Sequence, residues 1–203
     1  MMMCYVISMV TTNSDNEIRA EALQFAKKIE SYSVTSWQQF PDINLYMDQV
    51  LTLLNGTASI DYSNQDTSNK LTSNMVNNYV KDGYINRPDN KKYDKNQVVT
   101  LYLLMSLKAV LPISVVAKGL KILTNENNME TVYSQFIDLQ KESLEVVSRR
   151  LMEGIANINL DETALGQFAL QLANESNILR IAAEKIFDGL AVTITDFDAE
   201  KIQ

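Results

Sequence analysis

Histidine is absent from this chain of 203 residues, and cysteine occurs only once, at Cys4. The chain therefore lacks the side chain that most often acts as a general acid or base near neutral pH, which is also the commonest metal ligand. A single cysteine allows neither an internal disulfide nor a thiolate zinc cluster. Since no phosphate loop or dinucleotide motif is present either, we expect no enzyme activity, no cofactor and no metal.

Glycine and proline are also scarce, with six and three residues, which favours long helices over many short strands. The apolar start, residues 1–10, lacks the basic region and the cleavage site of a signal peptide, so we expect a loosely packed leader. No run approaches the roughly 18–20 apolar residues of a membrane span. The composition therefore predicts a cytoplasmic protein without a membrane partner.

The net charge of −7 is unevenly distributed along the chain. Residues 70–121 contain nine basic and three acidic side chains, a net charge of +6, whereas the remainder contains nine basic and 22 acidic side chains, a net charge of −13. A basic module within an acidic protein is typical of a surface that binds a polyanion such as nucleic acid. The alternative is that these lysines are ordinary solvated residues.

Two short helices are predicted before and after a polar stretch. Residues 44–55 have apolar side chains at i, i+3, i+4 and i+7, with Asn44 as the N-cap. Residues 71–82 follow a second such pattern, with Thr72 as the N-cap and Gly83 at the position that needs a positive φ. The polar stretch between them has no sustained period and is predicted to be a loop.

A small β-hairpin is predicted after the second helix. Residues 84–85 would form its first strand and residues 91–93 its second, with a turn at residues 87–90. Pro88 suits the second position of that turn because its φ is fixed.

The next helices are predicted from their caps. Asp94 followed by Gln97 forms a variant of the capping box, so a helix is expected to start there. Pro112 would end that helix, and Ser114 would cap a shorter one.

Long helices are predicted at residues 129–156 and 161–190, joined by a connector short enough to make them antiparallel. Another helix is predicted at residues 14–31, and the last dozen residues are predicted to be an acidic tail. The two long helices would either form a dimer interface or complete an intramolecular bundle with the first helix. The sequence favours neither.

The order of these elements resembles the DNA-binding domain of MerR-type regulators. The resemblance lies in LTSNMVNNYVKDGYI at 71–85, KKYDKNQVVTLYLL at 91–104 and ISVVAKGLKIL at 113–123. Positions of the MerR helix and of the glycine that ends it are occupied by Thr72, Val76, Tyr79, Gly83, Tyr84 and Ile85. The resemblance implies a mainly α fold, namely a winged helix-turn-helix with a β-hairpin wing, followed by an antiparallel helical pair.

The chain also resembles a bacterial family, domain of unknown function 1836, over about residues 37–190. PDINLYMDQV at 41–50, MVNNYVKDGYI at 75–85, KKYDKNQVVTLYLLMSLKAVLPIS at 91–114 and ALQLANESNILRIAAEKI at 169–186 carry this likeness. The family name supplies no activity, so the functional expectation rests on the winged helix.

Two departures from the MerR pattern affect that expectation. About fifteen residues, 56–70, replace the tight turn between the first two helices, which leaves the angle between them open. Asn74 and Asn77 stand where MerR proteins usually carry arginines, although asparagine can read adenine through its amide. The metal-sensing cysteines of MerR proteins are missing, so a metal response is not expected.

These features predict a DNA-binding transcriptional regulator with double-stranded DNA as its partner. A homodimer through 129–190 and an unidentified small-molecule effector are both left open. The domains of the chain would be a leader and helix (1–36), a winged helix (37–124) and a helical dimerisation region (125–203). A protein-interaction module without specific DNA binding is the alternative. The predicted DNA-contacting residues are Ser73, Asn74, Asn77, Asn78, Lys81, Arg87, Lys91, Lys92 and Tyr93.

Overall fold

The structure is a computed structural model, and it describes residues 17–57, 70–157 and 162–200. In this part the chain is mainly helical, with one antiparallel sheet of two strands. Helix α1 covers residues 17–30. The later elements are a 3-10 turn (Trp37–Gln39), β1 (Leu45–Tyr46), α2 (Met47–Gly56), α3 (Ser73–Lys81), β2 (Lys92–Tyr93), α4 (Lys95–Leu107), α5 (Ile113–Glu126), α6 (Met129–Asn157) and α7 (Glu162–Glu200). The predicted leader and most of the predicted polar loop lie outside the described residues.

The first helix of the predicted pair starts later than expected. Asn44 is not its N-cap, because residues 45–46 are extended and pair with β2. Helix α2 begins at Met47, and the backbone N–H of Tyr46 donates to the side-chain oxygen of Gln49 at 2.9 Å. The preceding strand has only two residues and therefore no periodicity to reveal it.

The predicted hairpin was wrong in its strand partner and in its turn. Strand β2 pairs with β1, not with residues 84–85. The turn lies at residues 89–92, where the Lys92 N–H donates to the Asp89 carbonyl at 2.8 Å. Its central residues, Asn90 and Lys91, have φ of 48° and 64°. Two successive positive φ values are typical of a type I′ turn, which lies two residues beyond the predicted one.

The end of α3 explains why residues 84–85 are unavailable to a strand. The N–H of Tyr84 donates to the Tyr79 carbonyl at 2.8 Å, and the N–H of Gly83 donates to the Val80 carbonyl at 3.2 Å. With Gly83 at φ 75°, these bonds form a Schellman motif, which confirms the predicted helix stop. The predicted start is confirmed too, because the Thr72 hydroxyl accepts the Met75 N–H.

The capping box at the start of α4 is confirmed, since Asp94 and Gln97 exchange hydrogen bonds of 2.8 and 2.9 Å. The cap predicted at Ser114 lies two residues too late. Pro112 is the N-cap of α5, and its carbonyl accepts the N–H groups of Val115 and Val116.

The described chain divides into two compact units, one formed by residues 17–33 and 138–179 and the other by residues 34–137 and 180–200. Within α6 the division between the units falls between residues 137 and 138, and the domain boundary at 124/125 stays a prediction. The start of α6 belongs to the second unit because Tyr133 has no exposed surface in the core of that unit. Its hydroxyl donates to the Thr35 carbonyl at 2.7 Å.

Aromatic side chains surround Tyr133 in this core. Its ring centroid lies 5.5 Å from that of Phe40 and 5.8 Å from that of Tyr102, both in edge-to-face geometry. Such pairs add roughly 0.5–1.5 kcal/mol each beyond the burial of their area. The cluster therefore joins the start of α6 firmly to α4 and to the segment before β1.

Helices α2 and α3 are held together by the side chain of Asn55. Its amide nitrogen donates to the Leu71 carbonyl at 2.9 Å, and its oxygen accepts the Leu71 N–H at 2.8 Å. We call this pair of bonds the Asn55–Leu71 clamp. It brings the end of α2 to the residue two positions before α3, so the long connection between the helices closes at its base.

The other unit contains α1 and the hairpin formed by parts of α6 and α7. The buried Ser148 hydroxyl donates to the Ala26 carbonyl of α1 at 3.0 Å. Arg150 forms an ion pair with Glu175, and Gly154 faces the ring of Phe168. Residue 150 of α6 meets residue 175 of α7, whereas residue 154 meets residue 168. The two helices therefore run antiparallel, as predicted. Helix α7 continues to Glu200, through most of the predicted acidic tail.

The clamp predicts a stability loss for Asn55→Ala. Removing the amide leaves the N–H and the carbonyl of buried Leu71 without these partners, so the free energy of unfolding should fall by about 1–3 kcal/mol. Urea denaturation followed by circular dichroism measures the change. Asn127→Ala, at an exposed amide near the end of α5, is the control and should cost less than about 0.5 kcal/mol. Equal losses would show that the clamp contributes nothing.

Burial of Tyr102 predicts a loss of stability at alkaline pH. Burial raises the pKa of Tyr102 above its ordinary value of 10.0, while hydrogen bonds to Ser106 and Tyr133 lower it by less. The phenol of Tyr102 therefore stays protonated to a higher pH in the folded state than in the unfolded state. The stability that this difference contributes is fully present below pH 10 and is lost as the pH rises through the pKa of the folded state.

Urea denaturation at about pH 8 and about pH 11 tests this. Tyr102→Phe should reduce the difference in unfolding free energy between the two pH values. Tyr46→Phe, which removes an exposed phenol, is the control. An unchanged difference in Tyr102→Phe would refute the assignment.

Candidate nucleic-acid interface

Helix α3 separates an apolar side from a polar side. Val76 and Tyr79 are buried on the apolar side. The polar side chains recur at i, i+1, i+4, i+5 and i+8, a spacing that keeps them on one side of a helix. They are all exposed: Ser73, Asn74, Asn77, Asn78 and Lys81. The structure thus brings five of the predicted contact residues together, and we call them the α3 polar face.

Three further predicted residues lie in the segment 87–92, which we call the basic turn. Arg87 and Lys91 are exposed, and Lys92 is half-buried. The ammonium group of Lys92 lies 4.9 Å from the ring centroid of Tyr46 in β1. A cation over an aromatic ring at this distance is attracted by the π electrons, so the side chain of Lys92 is held in place while its position remains partly open to solvent.

Tyr93, the last of the predicted contact residues, lies in the hydrophobic core. Its side chain is only 3% exposed and is part of the core, where burial raises its pKa. Its backbone pairs with Leu45 across the sheet. We therefore assign Tyr93 to the packing beneath the basic turn and not to the contact surface.

Gln97, which the sequence indicated only as a cap, also positions the basic turn. Its amide nitrogen donates to the carbonyls of Asn86 at 2.9 Å and Arg87 at 3.3 Å. Its oxygen accepts the Asp94 N–H. One side chain, 8% exposed, therefore satisfies three backbone groups and fixes the base of the turn to the start of α4. In the sequence, the only indication of a role for Gln97 was its position three residues after the Asp94 cap.

The +6 charge of residues 70–121 does not form one uniform patch. Lys95 pairs with Asp42 at 2.6 Å and lies over the ring of Trp37 at 4.7 Å, with its side chain 14% exposed. Lys108 is half-buried, and burial lowers its pKa. Both are thereby removed from a solvent-facing patch. The exposed basic residues of this segment are Lys70, Lys81, Arg87, Lys91, Lys118 and Lys121.

A groove of about 490 Å³ lies beside the basic turn. Its walls are the segment after α3, the basic turn with β2, the first two turns of α4, and α5. Three basic side chains line it, two from the basic turn and one from α5: Arg87, Lys92 and Lys121. Its volume falls within the usual range for small-molecule sites.

Among the described residues, no group of three or more acidic or cysteine side chains could hold a metal ion. Within the same ranges, none of the helices has the length and apolar character needed to cross a bilayer.

The fold and its surface define a mainly helical protein with a small sheet, a polar helix face and a basic turn in the same unit. A family profile described as "Domain of unknown function (DUF1836)" matches residues 35–136, and the chain belongs to this family. The match ends before residues 169–186, where we also expected similarity. No significant match is found among curated proteins or among solved structures.

Gln97→Met tests the positioning role. Methionine keeps the volume but cannot bond the carbonyls of Asn86 and Arg87 or the N–H of Asp94, so we expect a loss of about 1–3 kcal/mol in unfolding free energy. The amide hydrogens of Asp94 and Lys92 should also exchange faster with solvent, measured by NMR. Asn96→Ala, at the exposed neighbouring position, is the control. Unchanged exchange in Gln97→Met would contradict the role.

Proposed function

We propose that this chain is a DNA-binding transcriptional regulator and that residues 44–123 act as a winged helix-turn-helix similar to that of MerR-type regulators. One observation carries the proposal: the exposed, polar α3 face lies in the same unit as an ordered basic turn. The order β1, α2, α3, basic turn with β2, α4, α5 is compatible with that class. In the proposal α3 is the recognition helix and the basic turn is the wing.

The α3 polar face would enter the major groove of the duplex. Ser73, Asn74, Asn77 and Asn78 would lie near base edges, where an asparagine amide can form a bidentate pair with adenine. Contacts of this kind specify sequence, whereas phosphate contacts set position and register.

The basic turn would hold the phosphates beside the helix. Arg87, Lys91 and Lys92 come from the turn, and Lys81 comes from the last turn of α3. Arginine suits phosphate because its planar guanidinium donates two parallel hydrogen bonds. The Gln97 bonds and the ring of Tyr46 hold this part of the surface in shape before DNA arrives.

We further propose that a second copy of the chain completes the regulator, since one module buries little surface on DNA. Arg150 and Glu175 mark the faces on which the α6 and α7 segments of the hairpin meet. Helical spacing puts Val146 on that face of α6 and Leu179 on that face of α7. Their exposed fractions are 52% and 69%, although α1 packs on α6 near Ser148.

These uncovered apolar side chains favour a dimer over an intramolecular bundle completed by α1. They do not identify a small-molecule effector.

A protein-interaction module is the second candidate. The observation favouring it is that the α3 polar face has only one basic residue, Lys81, in a chain of net charge −7. In that case α3 would contact an uncharged polar protein surface, and the basic turn would contribute little to binding.

Fluorescence anisotropy with mixed-sequence duplex DNA decides between these candidates. Over roughly 50–200 mM salt, affinity of the unaltered chain should fall steeply, because bound lysine and arginine release counterions from the duplex. Lys91→Glu with Lys92→Glu should weaken binding at least about tenfold and reduce the salt slope by about two. Asn74→Ala with Asn77→Ala should reduce discrimination among sequences more than the salt slope.

The matched control is Lys27→Glu with Lys141→Glu, which makes the same charge change at exposed positions outside the proposed surface. Its DNA affinity should remain close to that of the unaltered chain. If a folded dimer, sized by sedimentation, shows no binding at low salt, the DNA proposal fails and the interaction module takes its place.

A further inference from the structure

The groove beside the basic turn shares two cations with the proposed DNA contacts and adds a third that those contacts do not use. Arg87 and Lys92 are on its basic-turn side, and Lys121 of α5 is on another wall. Lys121 is exposed and is not among the predicted DNA-contacting residues. Three cations from two walls therefore line one concave surface, an arrangement suited to an anion.

The remaining polar lining favours an anion that also has hydroxyl groups. The hydroxyls of Thr100 and Thr124 donate to helix carbonyls at 2.8 and 2.9 Å, so their oxygens remain as hydrogen-bond acceptors. Asp89 adds a carboxylate to the lining. Acceptors of this kind match the hydroxyl protons of a polyol, whereas a bare inorganic anion would leave them unused.

Carboxylates in the groove reduce its positive charge but do not cancel it. Asp89 and Asp94 oppose the three cations, which leaves a net charge of +1. One Asp94 oxygen already accepts the Gln97 N–H in the α4 cap. The amides of Asn44, Asn86 and Asn96 supply both donors and acceptors around this centre.

Less polar side chains complete the lining. Tyr84, Ile85, Leu120 and Met129 line the groove together with these polar groups. They offer a surface on which the carbon skeleton of a ligand can pack. The wall at Asn86 and Arg87 is fixed in advance by the Gln97 bonds, so little ordering is needed when a ligand binds.

We infer that this groove is a phosphate-binding site in which Lys121, Arg87 and Lys92 hold the phosphate. The oxygens of the two threonines and of Asp89 would accept hydrogen bonds from the hydroxyl groups of the ligand. The favoured ligand is a small phosphate ester of a hydroxylated body, such as a sugar phosphate. A phosphate of the DNA backbone is the other source of the same chemistry.

A regulatory consequence rests on the proposed DNA function. Arg87 and Lys92 are assigned to DNA phosphates there, and they also line the groove. A bound small phosphate ester would occupy both and would compete with DNA. Lys91, in contrast, does not line the groove, so the two activities can be separated by mutation.

Isothermal titration calorimetry of the full chain with ribose 5-phosphate, ribose and inorganic phosphate tests the site. Ribose 5-phosphate should bind more tightly than either of the other two probes. Lys121→Ala should weaken its binding at least about tenfold, since one charge-assisted contact is lost. Lys91→Ala is the matched control and should leave ribose 5-phosphate binding unchanged. Because both positions are exposed, both variants should fold, and circular dichroism checks this.

Duplex anisotropy with the same variants distinguishes the two sources of phosphate. Loss of ribose 5-phosphate binding in Lys121→Ala, with DNA affinity retained, supports the small-molecule site. Weaker DNA binding in Lys121→Ala, with no ribose 5-phosphate binding by the unaltered chain, assigns the groove to the DNA backbone. If Lys121→Ala changes neither, the inference is overturned. If the unaltered chain binds ribose 5-phosphate but not DNA, the proposal of a DNA-binding regulator is refuted, whereas the inference of a phosphate site in the groove stands.

Discussion

The Asn55–Leu71 clamp is the constraint on which the proposed surface depends. Two hydrogen bonds, of 2.8 and 2.9 Å, join the end of α2 to the residue before the α3 cap. They set where α3 begins relative to α2, although about fifteen residues separate the two helices where MerR proteins have a tight turn. The entropic cost of closing a loop grows only slowly with its length, so a long insertion is compatible with a well-fixed helix pair once its base is closed. The long connection is therefore compatible with a fixed start of α3.

Two other side chains extend this order to the surface. Gln97 holds the base of the basic turn against α4, and Tyr133 holds the start of α6 in the same core. Both are buried polar residues whose hydrogen bonds would be expensive to lose. The family match, at residues 35–136, ends close to the point where α6 leaves this core. Positioning groups of this kind make the α3 polar face and the basic turn parts of one folded unit, as a preorganised binding surface requires.

Charge counted along the sequence overstated the positive surface. Lys95 is held by Asp42 and Trp37, and Lys108 is half-buried, so two of the nine basic groups in residues 70–121 are removed from a solvent-facing patch. Of the basic groups that remain, Lys70 precedes α3, Lys81 ends it, three lie in the basic turn and two lie in α5. Binding to a polyanion would therefore depend on a few well-placed contacts, and in the inferred phosphate site Arg87 and Lys92 would also serve a small ligand.

The sequence by itself determined the features that depend on neighbouring residues. The Thr72 cap, the Gly83 stop and the Asp94–Gln97 box were predictable because each bond joins residues at most five positions apart, and the polar spacing of α3 follows from its helical period. Only the tertiary structure decided the pairing of β1 with β2, the burial of Tyr93 and the Asn55–Leu71 clamp. These features depend on groups brought together from distant positions in the chain. A strand of two residues or a single asparagine has no periodic pattern from which its partner could be predicted.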